Sequence, residues 1–223
     1  MAKGRKSKYW YLSQFNLARR LKRSELKYLC ENSLMQTYSK GDEVFLKEGD
    51  SSRLFFLKKG AIKLIKLSAQ GQSFMENVIG QGTLFGLTSL FHNADYSKEK
   101  FICLKNTRVC KVPHSILDEL LNKNKSLHNY LLKLSGIRIK RLEYRLESLL
   151  FKTYEERIRE FFPNFIKAFG TDRGPYYEMD LFLTNKDIGQ LTNTTRQKVN
   201  TVMNDMKHEG LISFDRKSIK WHK

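Results

Sequence analysis

The chain has 223 residues, 40% hydrophobic and 12% aromatic, which is enough apolar side chain for a folded core in one or two domains and excludes a disordered protein. Lysine and arginine outnumber aspartate and glutamate by 41 to 23, and the formal net charge of +18 favours nucleic acid as a partner. No apolar stretch is long enough to span a bilayer, no secretory apolar core follows the basic N-terminus, and no segment has the two-faced pattern of a membrane-surface helix, so we expect a cytoplasmic protein with no membrane partner.

The first part of the chain is punctuated by glycines at intervals of eleven residues. Each glycine has polar neighbours, and the four are Gly49, Gly60, Gly71 and Gly82. Between them lie short apolar runs typical of strands, at residues 54–57 and 62–67. Evenly spaced strands with glycine turns predict a β-sandwich or jelly roll.

Cys103 and Cys110 stand symmetrically about Asn106-Thr107, so a two-residue turn there would place them opposite each other on paired strands. Two interpretations are open, a redox-sensitive pair or two small apolar residues of a sheet, and the second is favoured because free cysteine is commonly buried. Only Cys30 remains, and no CxxC spacing occurs. The chain therefore supplies neither a zinc site nor a four-cysteine iron–sulfur cluster, and no metal or cofactor is predicted.

From about residue 115 to residue 152 apolar residues recur at helical spacing. Four of them form a seam with steps of three, four and three: Ile139, Leu142, Leu146 and Leu149. The seam could pack on the chain's own core, but its length and polar flanks favour two-fold pairing with a second copy. The helical stretch 155–169 is expected to kink or restart at Pro163, and residues 170–175 are expected to form an exposed loop.

Residues 184–212 have the pattern of a helix-turn-helix. Thr184 and Asp187 form a capping box that can begin a short helix. Asn193 tolerates the left-handed backbone of a tight turn, and Thr195 can cap a second helix. The segment therefore predicts two helices joined by a tight turn.

The second helix of this motif has one apolar face and one polar face. Its apolar positions recur at spacings of three and four: Val199, Val202, Met203 and Met206. Its outward-facing positions are Arg196, Gln197, Lys198, Asn200, Thr201 and Asn204. Gly210 ends the helix, and the apolar residues on either side of the polar turn 215–218 predict a short hairpin, the wing of a winged helix.

The polar face has the chemistry of a DNA-reading helix. Arg196 and Gln197 are side-chain types that pair bidentately with guanine and adenine, and the N-terminal end of such a helix enters the major groove. Residues suited to phosphate oxygens flank them: Thr184, Asn185, Lys186, Thr195 and Lys198. A small helical hairpin with a solvated polar face is the plainer alternative, and the side-chain chemistry favours DNA binding over it.

A glycine-punctuated β-rich part, a long helix and the motif T-x-x-x-I-G-Q-[LI]-x-x-x-[ST]-R-x-x-V follow one another in this chain. This order resembles the cyclic-AMP receptor / fumarate-nitrate regulator (Crp/Fnr) superfamily of bacterial transcription factors, over nearly the whole chain and most sharply at residues 40–42, 82–86 and 184–212. The resemblance implies an α+β fold with three parts. They are a β-roll like a cyclic-nucleotide-binding domain over 1–113, a long dimerisation helix over 114–152 and a winged helix-turn-helix over 153–223.

The resemblance further implies a homodimer joined along the long helix. Such a dimer binds double-stranded DNA at a pseudo-palindromic operator, with recognition helices in successive major grooves about 34 Å apart. Base reading falls to Arg196, Gln197 and Thr201. The last two depart from the family's best-known pattern, an acidic residue and a second arginine, so a different operator sequence is expected. RNA polymerase is a further candidate partner.

The candidate effector pocket departs further from the cyclic-AMP binders. By resemblance it comprises Gly86, Leu87, Ser97, Lys98, Leu142 and Glu143. Leu87 stands where those proteins have a glutamate for the ribose hydroxyl, and Ser97 with Lys98 replaces an Arg-Ser pair for the cyclic phosphate. We therefore expect an effector other than cyclic AMP, of unknown identity, or a β-roll that has lost sensing. The lone His92 is interpreted as structural or exposed rather than as a haem ligand.

A ligand- or partner-binding adaptor, with C-terminal helices that contact protein, is the competing interpretation. It predicts weak and sequence-blind DNA affinity that does not depend on Arg196 or Gln197. An enzyme is the least favoured class, because the sequence contains no phosphate-binding loop, HExxH, GxSxG or paired-carboxylate motif. No catalytic residue is therefore predicted.

Overall fold

The computed structural model of the chain describes residue 12 and residues 15–44, 53–86 and 98–223. It divides into two compact units, Met1–Ile139 and Lys140–Lys223. Among the described residues, no helix has both the length and the apolar character needed to cross a membrane.

The first unit is built on two antiparallel sheets. Its described strands are β1 (Leu34–Tyr38), β2 (Arg53–Lys59), β3 (Ala61–Leu67), β4 (Ser73–Gly80), β5 (Leu84–Phe85), β6 (Glu99–Cys103) and β7 (Thr107–Pro113). One sheet has the order β1-β7-β2-β5 and the other the order β4-β3-β6. The two runs predicted to be strands, 54–57 and 62–67, lie within β2 and β3. The predicted β-roll is therefore confirmed.

The predicted glycine turns are confirmed at three of the four positions. Gly60, Gly71 and Gly82 have φ angles of 102°, 78° and 85°, in the region that favours glycine. At Gly60 a Cβ atom would also lie 2.9 Å from the carbonyl oxygen of Asn106, so space as well as backbone conformation requires glycine. Gly49 lies outside the described residues.

Successive side chains of β2 point to opposite faces of the sheet and belong to two different hydrophobic clusters. Phe55 and Leu57 belong to a cluster shared by both sheets, together with residues such as Ile62 and Val109. Leu54 and Phe56 point to the opposite face and pack with helical residues. Because both faces of β2 are covered, its apolar residues form a continuous run rather than an alternating one.

The predicted hairpin that places Cys103 opposite Cys110 is wrong. Cys103 pairs with Ile62 on β3, whereas Cys110 pairs with Met35 and Phe56 on β1 and β2. The residues between β6 and β7 carry the chain from one sheet to the other instead of closing a hairpin within one sheet. Neither cysteine forms a disulfide and both are buried, and burial raises the pKa of the Cys103 thiol.

Helices cover the outer face of the β2 sheet. The described helices of the first unit are a 3₁₀ turn (Ala18–Arg20), α1 (Arg23–Glu31), α2 (His114–Lys123) and α3 (Lys125–Phe151), the last of which continues into the second unit. The helical region predicted at 114–152 is thus two helices rather than one. Asn124 breaks it with φ −131° and ψ 93°, and its Oδ1 accepts a hydrogen bond from the Leu127 N–H at 3.0 Å. Apolar periodicity does not reveal such competition between an Asn side chain and the helical backbone.

The second unit combines three further helices with one antiparallel sheet. The helices are α4 (Tyr154–Phe169), α5 (Asn185–Thr192) and α6 (Arg196–His208). The strands are β8 (Thr171–Asp172), β9 (Tyr176–Asp180), β10 (Ile212–Phe214) and β11 (Ser218–His222), in the order β10-β11-β9-β8. The predicted wing around 215–218 is confirmed, since Phe214 pairs with Ile219 across that turn.

Two local predictions in this unit are corrected. Residues 171–175 of the stretch 170–175 are exposed as expected, but the stretch contains β8, which pairs with β9. Of the two outcomes expected at Pro163, a kink or a restart, the restart is wrong, because one helix runs from Tyr154 to Phe169. The buried residues Ile158, Phe162 and Ile166 lie on both sides of the proline, and their burial outweighs the one backbone hydrogen bond that proline cannot donate.

Candidate nucleic-acid interface

The first helix of the motif begins at a complete capping box. The Thr184 hydroxyl accepts a hydrogen bond from the Asp187 N–H at 3.1 Å, and the Asp187 carboxylate accepts one from the Thr184 N–H at 3.0 Å. Two backbone donors that would lack a helical partner are thereby satisfied. Helix α5 therefore starts where the sequence predicts.

The turn between α5 and α6 is tight. Asn193 adopts φ 52° and ψ 57°, the left-handed conformation that its side-chain type was predicted to allow. The Thr194 N–H donates to the Gly189 carbonyl at 2.7 Å, and a Cβ atom on Gly189 would lie 2.7 Å from the Thr194 carbonyl oxygen. The absence of a side chain at Gly189 lets the two helices approach this closely.

Helix α6 separates apolar and polar residues as predicted. Thr195 caps it by accepting the Lys198 N–H at 3.3 Å. The four residues of the apolar face are 0–3% exposed: Val199, Val202, Met203 and Met206. The six residues of the polar face are all exposed: Arg196, Gln197, Lys198, Asn200, Thr201 and Asn204. Because the buried face fixes the helix in the unit, its polar face has a defined orientation.

The exposed side chains of the motif differ in how far they are engaged within the protein. Among the residues that the structure describes, the side chains of Arg196 and Gln197 have no hydrogen-bond or ion-pair partner. The Thr201 hydroxyl donates to the Gln197 carbonyl at 3.2 Å. The Lys198 ammonium lies 4.2 Å from the centre of the Tyr154 ring, and Asn185 donates to Asn200 at 3.4 Å. At the start of α6, Arg196 and Gln197 are therefore open to an external partner, whereas Lys198 is held against a ring.

Arg157 is a residue of this region that the sequence analysis missed. From α4 its guanidinium donates to the Thr192 carbonyl at 2.8 Å, the Asn193 carbonyl at 3.2 Å and the Lys152 carbonyl at 2.6 Å. The first two carbonyls belong to the turn of the motif, and the third follows the end of α3. No sequence pattern connects an arginine with backbone carbonyls 35 positions away.

A second set of contacts ties the end of α3 to α4. The Glu160 carboxylate accepts hydrogen bonds from the Lys152 ammonium at 2.6 and 2.8 Å and from the Tyr144 hydroxyl at 2.7 Å. These contacts, that with Lys152 first, lower the pKa of the Glu160 carboxyl. The end of α3 is therefore held on α4 through both a side chain and a backbone carbonyl.

The predicted seam on α3 does not pack on the chain's own core. Its four residues are 37–58% exposed: Ile139, Leu142, Leu146 and Leu149. Leu132 is also exposed, and it precedes Ile139 by one heptad. Farther toward the N-terminus, Leu127 and Leu131 are buried against the β2 sheet. The exposed stripe therefore begins where α3 leaves the core of the first unit.

The residues of the predicted effector pocket are only partly described. Gly86 follows β5 with φ 83°, and Lys98 precedes β6 and is exposed. Leu142 and Glu143 are exposed residues of α3 in the second unit. Leu87, Ser97 and the histidine considered as a haem ligand, His92, lie outside the described residues.

The first unit contains an ionic network that the sequence analysis also missed. Lys66 on β3 contacts the carboxylate of Glu99, its cross-strand neighbour on β6, and lies 3.7 Å from the carboxylate of Glu76 on β4. Arg138 on α3 lies 2.9 Å from the other oxygen of Glu76. We call these four residues the β-roll ionic network. It fastens α3 to the β4-β3-β6 sheet.

Two family models match the chain. The cyclic nucleotide-binding domain matches residues 35–124, and the Crp-like helix-turn-helix domain matches residues 145–222. Together they include both the β-roll and the helix-turn-helix motif.

Curated relatives and a solved structure agree with these matches. The chain is 23% identical to the global nitrogen regulator of Nostoc sp., over 85% of this chain and 86% of the relative. It is 22% identical to the CRP-like cAMP-activated global transcriptional regulator of Mycobacterium tuberculosis, over 82% and 81%. The structure of FixK2 from Bradyrhizobium japonicum has the same fold, with a TM-score of 0.74 and 18% identity, over 86% of this chain and 93% of that one.

Proposed function

Because the chain belongs to the Crp/Fnr superfamily of transcription regulators and carries its DNA-binding helix-turn-helix, we propose that it acts as a homodimer on a specific pseudo-palindromic operator. The members of this family are transcription regulators and not enzymes. The observation that carries the proposal is the N-terminal end of α6, which presents two unengaged base-pairing side chains on a helix anchored by a fully buried face. A guanidinium that has no partner within the protein can form two hydrogen bonds with guanine. Because α6 is held in one orientation, such a side chain can distinguish guanine from the other bases.

Base reading is assigned to Arg196, Gln197 and Thr201. Arg196 is the first residue of α6 and Gln197 the second, so both lie at the end of the helix that enters the major groove. Arginine suits the O6 and N7 acceptors of guanine, and glutamine suits the N6 and N7 groups of adenine. Thr201 lies one turn further, and its hydroxyl can still accept a hydrogen bond while it donates to the Gln197 carbonyl. It contributes less than the two leading residues.

Phosphate contacts are assigned to residues around the two helix starts: Thr184, Asn185, Lys186, Thr195 and Lys198. The first turns of α5 and α6 present backbone N–H groups and the positive ends of the helix dipoles, which suits phosphate oxygens. Lys186 is an exposed cation in the first turn of α5. Lys198 is held over the Tyr154 ring, which leaves its ammonium less free to follow a phosphate.

Dimerisation is assigned to the exposed seam of α3. Four apolar residues with a coiled-coil spacing and 37–58% exposure form a stripe that a second copy of α3 would cover. The two family models leave residues 125–144, most of α3, between them. This gap supports the division proposed here: a β-roll over 1–113, a segment over 114–152 that contains α2 and the dimerisation helix α3, and a DNA-binding part over 153–223.

We assign an effector other than cyclic AMP to the β-roll, or none. Leu87 has no acceptor for a ribose hydroxyl, and Ser97 with Lys98 has no arginine fork for a cyclic phosphate. The names of the relatives refer to nitrogen regulation in one case and to cAMP in another, at 23% and 22% identity.

Selection of bound DNA from a random pool at physiological salt tests the proposed function. A palindromic consensus with half-sites about 10 base pairs apart is expected. The adaptor alternative predicts instead that no consensus emerges, that binding is weak and equal for all sequences, and that it does not change when Arg196 and Gln197 are replaced. RNA polymerase is the partner to test next, by comparing transcription from the selected operator with and without the protein.

A further inference from the structure

The Arg157 side chain donates to three backbone carbonyls on two separate segments of the chain. Its Nε donates to the Thr192 carbonyl at 2.8 Å, its Nη2 to the Asn193 carbonyl at 3.2 Å and its Nη1 to the Lys152 carbonyl at 2.6 Å. Only the planar arginine fork offers donors in this spread arrangement, because lysine carries its donors on one atom. The Arg157 side chain therefore fixes the positions of these carbonyls relative to one another and also supplies a positive charge.

The three acceptors all lie at helix ends. Thr192 is the last residue of α5, and Asn193 is its left-handed cap. Lys152 follows the last residue of α3, and its own N–H still donates to the Ser148 carbonyl at 3.2 Å. Carbonyls at such positions have no partner within their helix, and the helix dipoles make them favourable sites for a cation. Arg157 thus satisfies the end of α3 and the end of α5 at once.

The backbone that carries Arg157 is itself fixed. Thr153 and Glu156 form a capping box that begins α4, with the Thr153 N–H donating to the Glu156 carboxylate at 2.7 Å. Ile158, the next residue, is fully buried. On the other side of the turn, Thr194 bonds to Gly189 and leads directly into α6. A rigid path therefore runs from the end of α3, through Arg157, to the start of the recognition helix.

We propose that Arg157 is a positioning residue that sets the angle between the end of α3 and α6, and thereby the half-site spacing that the dimer accepts. The inference rests on the proposed function, in which two copies of α3 pair and each α6 enters a major groove. Each added base pair moves a half-site by about 3.4 Å and rotates it around the duplex. A dimer whose recognition helices are fixed must therefore discriminate strongly between spacings.

The test compares Arg157→Gln with Lys167→Gln on operators of altered spacing. Both variants remove one positive charge from α4, but Lys167 is exposed and its side chain makes no hydrogen bond or ion pair among the described residues. Affinities are measured for the selected operator and for versions with one base pair added or removed between the half-sites. For wild type and Lys167→Gln the selected spacing should be strongly preferred. For Arg157→Gln this preference should fall about tenfold, as expected for the loss of charge-assisted hydrogen bonds.

A measurement without DNA accompanies the binding assay. Hydrogen–deuterium exchange of the amides at 193–198 should accelerate in Arg157→Gln and remain at the wild-type rate in Lys167→Gln. If Arg157→Gln fails to fold, Arg157→Lys takes its place, because it keeps the charge and the aliphatic stem while losing the fork.

The outcomes separate the two levels of the proposal. A wild-type protein that selects no sequence contradicts the proposed function, and an unchanged exchange rate in the Arg157 variant then contradicts the positioning role as well. A wild-type protein that selects a palindrome, together with an Arg157 variant that keeps the wild-type spacing preference, contradicts only the role of Arg157.

Discussion

The guanidinium of Arg138 lies 2.9 Å from the carboxylate of Glu76, and this contact fastens the long helix α3 to the β-roll. Glu76 is the extra residue of a β-bulge, because Leu64 pairs with Asn77 while its neighbour Ile65 pairs with Met75. A bulge redirects a side chain that regular pairing would place elsewhere. The Glu76 side chain is only 12% exposed, so it is shielded from water more than an ordinary surface carboxylate.

We predict that Glu76→Gln lowers the free energy of unfolding of the first unit by about 1–2 kcal/mol. The change removes the negative charge that lies between Lys66 and Arg138. Glu99 is then the one carboxylate of the β-roll ionic network, which still contains both cations. Denaturant unfolding followed by far-ultraviolet circular dichroism measures the loss. Glu147→Gln, at an exposed position of α3, is the matched control and should leave stability unchanged. Equal stability of the two variants would show that the network does not contribute.

The helix-turn-helix could be predicted from the sequence because local chemistry determines it. The capping box of Thr184 and Asp187, the left-handed Asn193 and the cap at Thr195 each act within three or four residues, and a single sequence reveals such short-range signals. The β-roll was predictable for a similar reason, since its turns need glycine at positive φ. In both the helix-turn-helix and the β-roll turns, the local backbone conformation limits which residue types can occupy a position.

The contacts that join distant segments could not be predicted from the sequence. Lys66 and Lys63 both alternate with apolar residues along β3, but only the fold shows that Lys66 lies beside Glu76 and Glu99. Arg157 is one of many arginines in a basic chain, and its acceptors are backbone carbonyls that leave no mark in the sequence. Apolar periodicity also predicted a helix around Pro163, but it did not show that packing against the core keeps the helix continuous past the proline.

We predict that Arg196→Ala weakens binding to the selected operator by about 1–3 kcal/mol and relaxes preference at one base pair. Arg196 is the first residue of α6, is exposed and has no ion-pair partner among the described residues, so its fork is available for guanine. Competition binding against all four bases at each operator position measures the effect. Lys167→Ala removes the same charge from an exposed site on α4 and should keep the full wild-type pattern. A variant at Arg196 that keeps the wild-type preference at every position would refute the assignment.

We predict that Leu146→Glu converts a dimer into a monomer. Leu146 is 58% exposed in the middle of the α3 seam, and two-fold pairing would bring the two introduced carboxylates close together in an apolar interface. Sedimentation velocity at micromolar concentration distinguishes the two states. Leu34→Glu is the control, because Leu34 is a similarly exposed leucine on β1, far from the seam in sequence. An unchanged dimer in Leu146→Glu, or a monomeric wild type, would contradict the proposed interface.

Our last prediction is that cyclic AMP does not bind to the protein at micromolar concentrations. A buried phosphate needs charge-assisted donors, and Ser97 with Lys98 offers a point charge in place of an arginine fork. The Leu87 side chain cannot accept a hydrogen bond from the ribose hydroxyl. Without those partners the desolvation of the anion costs several kcal/mol, and stacking of the base leaves little net affinity.

Calorimetric titration with cyclic AMP, followed by operator binding in its presence, checks this prediction. The expected result is no heat of binding and an unchanged operator affinity. Lys98→Ala serves as a control for the basic residue at the position that matches the phosphate-binding pair, and it should behave like the wild type. Micromolar binding of cyclic AMP by the wild type that is lost in Lys98→Ala, with tighter operator binding when the nucleotide is present, would establish the cyclic nucleotide as the effector and refute the prediction.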